Sequence, residues 1–130
     1  MRLVPFLAAS LAALTFAAGC GYGNSSPTAP SGQESPPAGA TIINVVGDRG
    51  TLSFSPDPAT VPAGQLVSWH NIDNTTHHVV LNDGKLDAGN LSPGRYSPAM
   101  TVAAPGPYHC TIHPGMVGTL VLAATPGSTP

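Results

Sequence analysis

Residues 41–124 read as short β-branched or alternating runs set off by proline, glycine and asparagine turns, and no window shows sustained helical periodicity. Thr41 to Val46 is one such run, and Gly47 to Gly50 makes a turn into Thr51 to Ser55. Pro56, Pro58 and Pro62 punctuate a loop that ends at Ala63-Gly64. Gln65 to Asn71 alternates, with Leu66, Ser68 and His70 on one face and Val67 and Trp69 on the other. His77 to Asn82 is a further strand, Asn82-Asp83-Gly84-Lys85 a turn, and Leu86 to Gly94 a loop. Arg95 to Ala103, Pro107 to Cys110 and Gly118 to Ala124 complete the strands. The pattern predicts an all-β chain folded as a Greek-key β-sandwich.

The 130 residues include 15 glycines and 15 prolines, and only 8% are charged, which suits a turn-rich β domain and argues against a helical bundle. The formal net charge of −2 leaves no basic face for nucleic acid. Ahead of the domain, residues 1–19 read as an export signal: Arg2 is followed by an apolar run from Leu3 to Ala18 that ends in Ala17-Ala18-Gly19-Cys20. Small residues before a cysteine resemble the bacterial lipobox, although Ala17 stands where leucine is usual, and Cys20 is then the lipidated residue. The duller readings are a plain secretory signal and an uncleaved anchor. Residues 20–40 form a Pro/Ser/Gly tether expected to be extended and mobile, and residues 125–130 a disordered tail. The expected location is periplasmic or on the cell surface, held to a membrane by the lipid. Cys110 is then the lone thiol in an oxidising setting, and metal ligation gives it a purpose.

The stretch Tyr108-His109-Cys110-Thr111-Ile112-His113-Pro114-Gly115-Met116 places a thiolate, an imidazole and a thioether at spacing C-x2-H-x2-M. That soft donor set suits copper better than zinc, calcium or magnesium, and a trigonal copper site needs one more histidine. The segment from Trp69 to Val80 supplies two adjacent candidates, His77 and His78. Here the chain resembles the cupredoxins, the small blue-copper proteins of the plastocyanin, amicyanin and pseudoazurin group. Their upstream pattern has Trp, then Asn two residues on, an acid at four, a ligand His at eight and Val at ten, met by Trp69, Asn71, Asp73, His77 and Val79. The downstream pattern is met by residues 108–118, with a short loop most like that of amicyanin.

The resemblance implies one type 1 copper bound by His77, Cys110 and His113, with Met116 as a long axial ligand. His78 is the alternative to His77 if the register is off by one residue. In the family that next position often holds Asn, Thr or Ser, hydrogen-bonded to the cysteine loop. His70 and His109 point away from the metal by strand alternation, and Trp69 and Tyr108 are read as core or rim aromatics without a redox role. The expected function is one-electron transport rather than catalysis, by a monomer whose redox protein partners dock briefly near His113. The alternative is copper storage, delivery or stress protection. With only Met100 and Met116 left after processing, no methionine-rich cluster favours it.

Overall fold

The computed structural model describes residues 32–124. The expected signal segment at 1–19, the lipidation expected at Cys20, the expected tether up to residue 31 and the expected tail at 125–130 lie outside the described residues. Two mixed sheets pack face to face. The first has the order β2-β1-β4-β7, formed by β1 (Ala40–Val45), β2 (Phe54–Ser55), β4 (Leu66–Asn71) and β7 (Met100–Thr101). The second has the order β3-β9-β8-β5-β6, formed by β3 (Ala59–Pro62), β5 (His77–Leu81), β6 (Asp87–Leu91), β8 (Gly106–Cys110) and β9 (Val117–Ala123). This is the β-sandwich expected from the turn pattern.

Alternation fills the space between the sheets. Ile43, Val45, Val67, Trp69, Val79, Leu91, Val102, Tyr108 and Leu120 are buried, and burying each such apolar side chain stabilises the fold by about 1.5–3 kcal/mol. Tyr108 stands at the centre, edge-on to Phe54 at 4.8 Å and to Trp69 at 5.4 Å between ring centroids. Its cross-strand partner is Gly118, and a Cβ there would lie 2.5 Å from the ring's Cζ. The tyrosine therefore occupies the space a side chain at 118 would need.

Several local expectations change. The proline-marked loop contains a strand, β3, because Ala59 and Val61 are both fully buried and pair in parallel with β9. As an edge strand it tolerates Pro62, whose missing N–H costs no ladder bond on the open side. The loop expected at Leu86–Gly94 contains β6, also an edge, whose pairing with β5 shifts between His78 and Val80 beside the positive-φ Gly89. Thr51–Ser55 splits into a 3-10 turn at Gly50–Leu52 and the two-residue β2. The strand expected over Arg95–Ala103 shrinks to Met100–Thr101 plus an isolated bridge between Tyr96 and His70. Between them Ser97 turns inward: its hydroxyl accepts from the Trp69 N–H at 3.0 Å, and its carbonyl accepts from the Ser68 hydroxyl at 2.8 Å.

The first described residues also depart from a free tether. Gln33 exchanges both backbone hydrogen bonds with Tyr96, at 2.7 and 2.9 Å, and Glu34 pairs with Arg95 at 2.7 Å.

Candidate metal centre

The end of the sandwich where β4 finishes and β8 turns is organised by one buried amide. Asn71 donates from Nδ2 to the carbonyls of Thr75 (2.7 Å) and Leu91 (2.8 Å), and its Oδ1 accepts from the Asp73 N–H at 2.9 Å. These bonds fold residues 72–75 into a tight turn that delivers His77 to the start of β5. Antiparallel pairing sets Val79 opposite Cys110, so His77, two residues earlier on the same face, leans over the cysteine. On the other side, residues 111–115 close between β8 and β9. The Met116 N–H donates to the His113 carbonyl at 2.9 Å, and the Cys110 N–H donates to the Met116 carbonyl at 3.1 Å. That turn brings His113 back over Cys110 and leaves Met116 fully buried directly after it.

Three donor atoms result. Cys110 Sγ lies 3.7 Å from His77 Nδ1 and 3.7 Å from His113 Nδ1, and the two Nδ1 atoms are 3.3 Å apart. The point equidistant from all three is about 2.1 Å from each, the length of a metal–imidazole bond and within about 0.2 Å of a metal–thiolate bond. Without an ion, two imidazole nitrogens and a sulfur converging this way satisfy one another poorly. One thiolate, two imidazoles and a buried thioether suit copper, so the residues present fit the group the sequence implied.

The tautomer needed for binding is set by Asp73. Its Oδ2 accepts from His77 Nε2 at 2.9 Å, which leaves the Nδ1 lone pair aimed at the centre. This bond, the Asn74 N–H and the Thr75 hydroxyl hold the Asp73 carboxyl well below its usual range, down to about 2. In the sequence Asp73 stands out only as one position of the Trp69-to-Val79 pattern. Its signal as a positioning residue was the spacing of four from His77 across a turn.

His78 points elsewhere. Its backbone N–H donates to Cys110 Sγ at 3.4 Å, while the ring bridges outward from Thr111 Oγ1 (3.0 Å) to Asp87 Oδ1 (2.6 Å). The structure thus gathers His77, and not its fallback, with Cys110 and His113. Thr111 and Asp87 were missed, because Asp87 lies on a strand the sequence did not reveal. His70 stacks on Tyr96 with centroids 3.9 Å apart and planes 5° from parallel. His109 contacts Asn82 Oδ1 at 2.6 Å, so neither joins the centre. Of the three clustered ligands His77 and Cys110 are buried, and His113 alone is part-exposed.

The same β-sandwich occurs among solved structures. A purple cupredoxin from Nitrosopumilus maritimus superposes with a TM-score of 0.54 at 23% identity, over 64% of this chain and 99% of that one. The chain has the cupredoxin fold. A reduced tryptophan-to-tyrosine variant of amicyanin matches with a TM-score of 0.56 at 20% identity, over 71% of this chain and 90% of its own. Among curated proteins, the plastocyanin of Scenedesmus fuscus is 27% identical over 94 residues, 62% of this chain and 96% of the relative. No family model matches the chain.

Proposed function

We propose that this protein carries single electrons outside the cytoplasm, with one copper that would be held by His77, Cys110, His113 and Met116. The observation that carries the reading is the asymmetry of the donors: three converge at bonding distance, and only His113 meets solvent. Bound copper supplies a one-electron couple between Cu(I) and Cu(II). The chain's own residues keep the ligands from rearranging as that charge changes. Asp73 fixes the His77 ring, the His78 N–H points at the Cys110 sulfur, and the short closure from Cys110 to Met116 ties the loop across its base.

Electrons leave or arrive through the His113 edge. The chain around it is unusually apolar for a surface: Ile112 is 49% exposed, Ile72 54% and Leu52 73%. Leu52 belongs to the turn whose Gly50 approaches the Gly115 carbonyl, so it borders the ligand loop. Asp48 and Asp73 lie against the same loops, which gives the patch a mildly acidic rim. Such a face suits brief docking of a redox protein by a monomer, without the large interface of a permanent complex. Export, the lipid at Cys20 and the absence of a catalytic step belong to the same proposal.

Repeated oxidation and reduction of the copper-loaded protein beside a Cu(I) chelator tests the role. A carrier retains one copper per chain through many cycles, and a charge placed on the exposed face beside His113, Ile112→Asp, slows its electron self-exchange while the copper stays bound. Transfer of the copper to the chelator on first reduction would favour storage or delivery instead.

A further inference from the structure

His78 adjoins a ligand, yet its ring lies on the outer face of the second sheet. The family resemblance explains a contact from this position to the cysteine loop, and Thr111 Oγ1, 3.0 Å from His78 Nδ1, supplies it. The resemblance does not explain Asp87, whose Oδ1 stands 2.6 Å from the other ring nitrogen. Asp87 belongs to β6, which lies on the far side of β5 from the cysteine strand β8. A carboxylate placed there needs a cause and a task.

The cause is the irregular pairing of β6. His78 stands opposite Asn90 and Val80 opposite Asp87, so a step of two residues on β5 is matched by a step of three on β6. Under strict alternation Asp87 would share the inner face of Leu91, which is fully buried. Gly89, at a φ of +68°, takes up the extra residue. Ala88 is buried in its place, and Asp87 turns outward beside His78. The carboxylate is 60% exposed, but it is not free to turn, because its Oδ1 also accepts from the Gly89 N–H at 2.8 Å. That bond, together with His78, holds the Asp87 carboxyl below its ordinary range and keeps it ionised.

An ionised carboxylate only accepts hydrogen bonds, so His78 Nε2 carries the proton and Nδ1 accepts from the Thr111 hydroxyl. The direction of that bond fixes the Thr111 side chain. Two backbone bonds join the same place: the Thr111 N–H donates to the His78 carbonyl at 2.8 Å, and the His78 N–H to Cys110 Sγ at 3.4 Å. We propose that Asp87 is a positioning residue for the metal centre, which through the His78 ring pins Thr111 and so keeps the His78 N–H on the Cys110 sulfur. Its effect on a reduction potential rests on the copper-carrier reading above. A donor aimed at the sulfur draws charge from the thiolate and favours the reduced state, so loosening the pin lowers the potential. Removing the Asp87 charge acts in the opposite sense. Two neutral replacements therefore separate the hydrogen bond from the charge.

Asp87→Asn keeps an acceptor oxygen for His78 and the Gly89 N–H, and Asp87→Ala keeps none. In the metal-free chain, in mildly alkaline buffer, nitrogen resonances of the His78 ring should show the proton on Nε2 in the wild type and in Asp87→Asn. In Asp87→Ala the two tautomers should mix, and the Thr111 amide should exchange with solvent about tenfold faster. Wild-type behaviour in Asp87→Ala would overturn the pin whether or not the protein binds copper. In the copper-loaded chains, voltammetry should place Asp87→Ala at a lower potential than Asp87→Asn. Equal potentials, or the reverse order, would overturn the positioning role at the metal. A wild type without a visible copper band would refute the copper reading instead, and the metal-free measurement would still decide the pin.

Discussion

Replacing Gly118 with alanine probes the core at the point where it supports the metal loop. An alanine Cβ would lie 2.5 Å from Tyr108 Cζ, 2.6 Å from its hydroxyl and 2.8 Å from Cε2. These are atoms of a fully buried ring held edge-on by Phe54 and Trp69, so the neighbour is rigid and either strand must move. Overpacking of this kind costs about 1–3 kcal/mol, and contact with three ring atoms argues for the upper end. Alanine returns up to about 1 kcal/mol by restricting the unfolded chain. The net loss is about 2 kcal/mol, or roughly 8–16 °C in Tm for a domain of this size. Thermal unfolding of the metal-free protein measures it. Because Tyr108 lies two residues before Cys110 and Gly118 two after Met116, the copper spectrum should shift as well. The double variant with Tyr108→Leu should lose less than the two single losses added together, since the smaller side chain vacates the space. A Gly118→Ala protein melting within a degree or two of the wild type would refute the packing argument.

Asp73→Asn keeps the shape but removes the negative charge from the His77 ring, so copper should favour Cu(I) and the potential should rise by on the order of tens of millivolts, read by voltammetry. In the metal-free protein the lowered Asp73 carboxyl gives a sign to the acid response. Its contribution is complete above the unfolded value near 3.8 and disappears as pH falls through about 2. With Asp73 23% exposed, solvent screening leaves a contribution of about 1 kcal/mol, so denaturant midpoints of wild type and Asp73→Asn should differ at pH 5 and converge near pH 2. Ser97→Ala strips the buried Trp69 N–H of its acceptor and should cost about 1–3 kcal/mol in urea unfolding, with little change in the copper spectrum.

Much of this molecule was legible in the sequence because local patterns did the specifying. Alternation in Gln65–Asn71 puts Val67 and Trp69 inside, and the short C-x2-H-x2-M spacing leaves the ligand loop little choice of shape. The opposite face of that strand misled, since Ser68 is buried too, under Ser97, by a contact 29 residues away that no local pattern encodes. Edge strands were the main omission. β3 is defined by pairing with the distant β9 and β6 by an irregular pairing with the neighbouring β5, while their own residues, with Pro, Gly and Asp among them, read as loops. The weak strand signal of β6 hid Asp87 behind His78, and a pairing between remote segments hid the seat at Tyr96 behind Gln33. Composition alone made residues 32–34 look like linker, and an unpaired edge gave them a place.

Everything proposed for this protein depends on Cys110 binding copper as a thiolate together with His77, His113 and Met116. Its most direct test is the visible spectrum of the purified chain after addition of one equivalent of Cu(II). The expected result is an intense sulfur-to-copper band that saturates at one copper per chain, bleaches on reduction and returns on oxidation. The band should be absent in Cys110→Ser and in His77→Ala, and retained in His78→Ala. A colourless wild type, or a band that survives Cys110→Ser, would rule out copper ligation by Cys110.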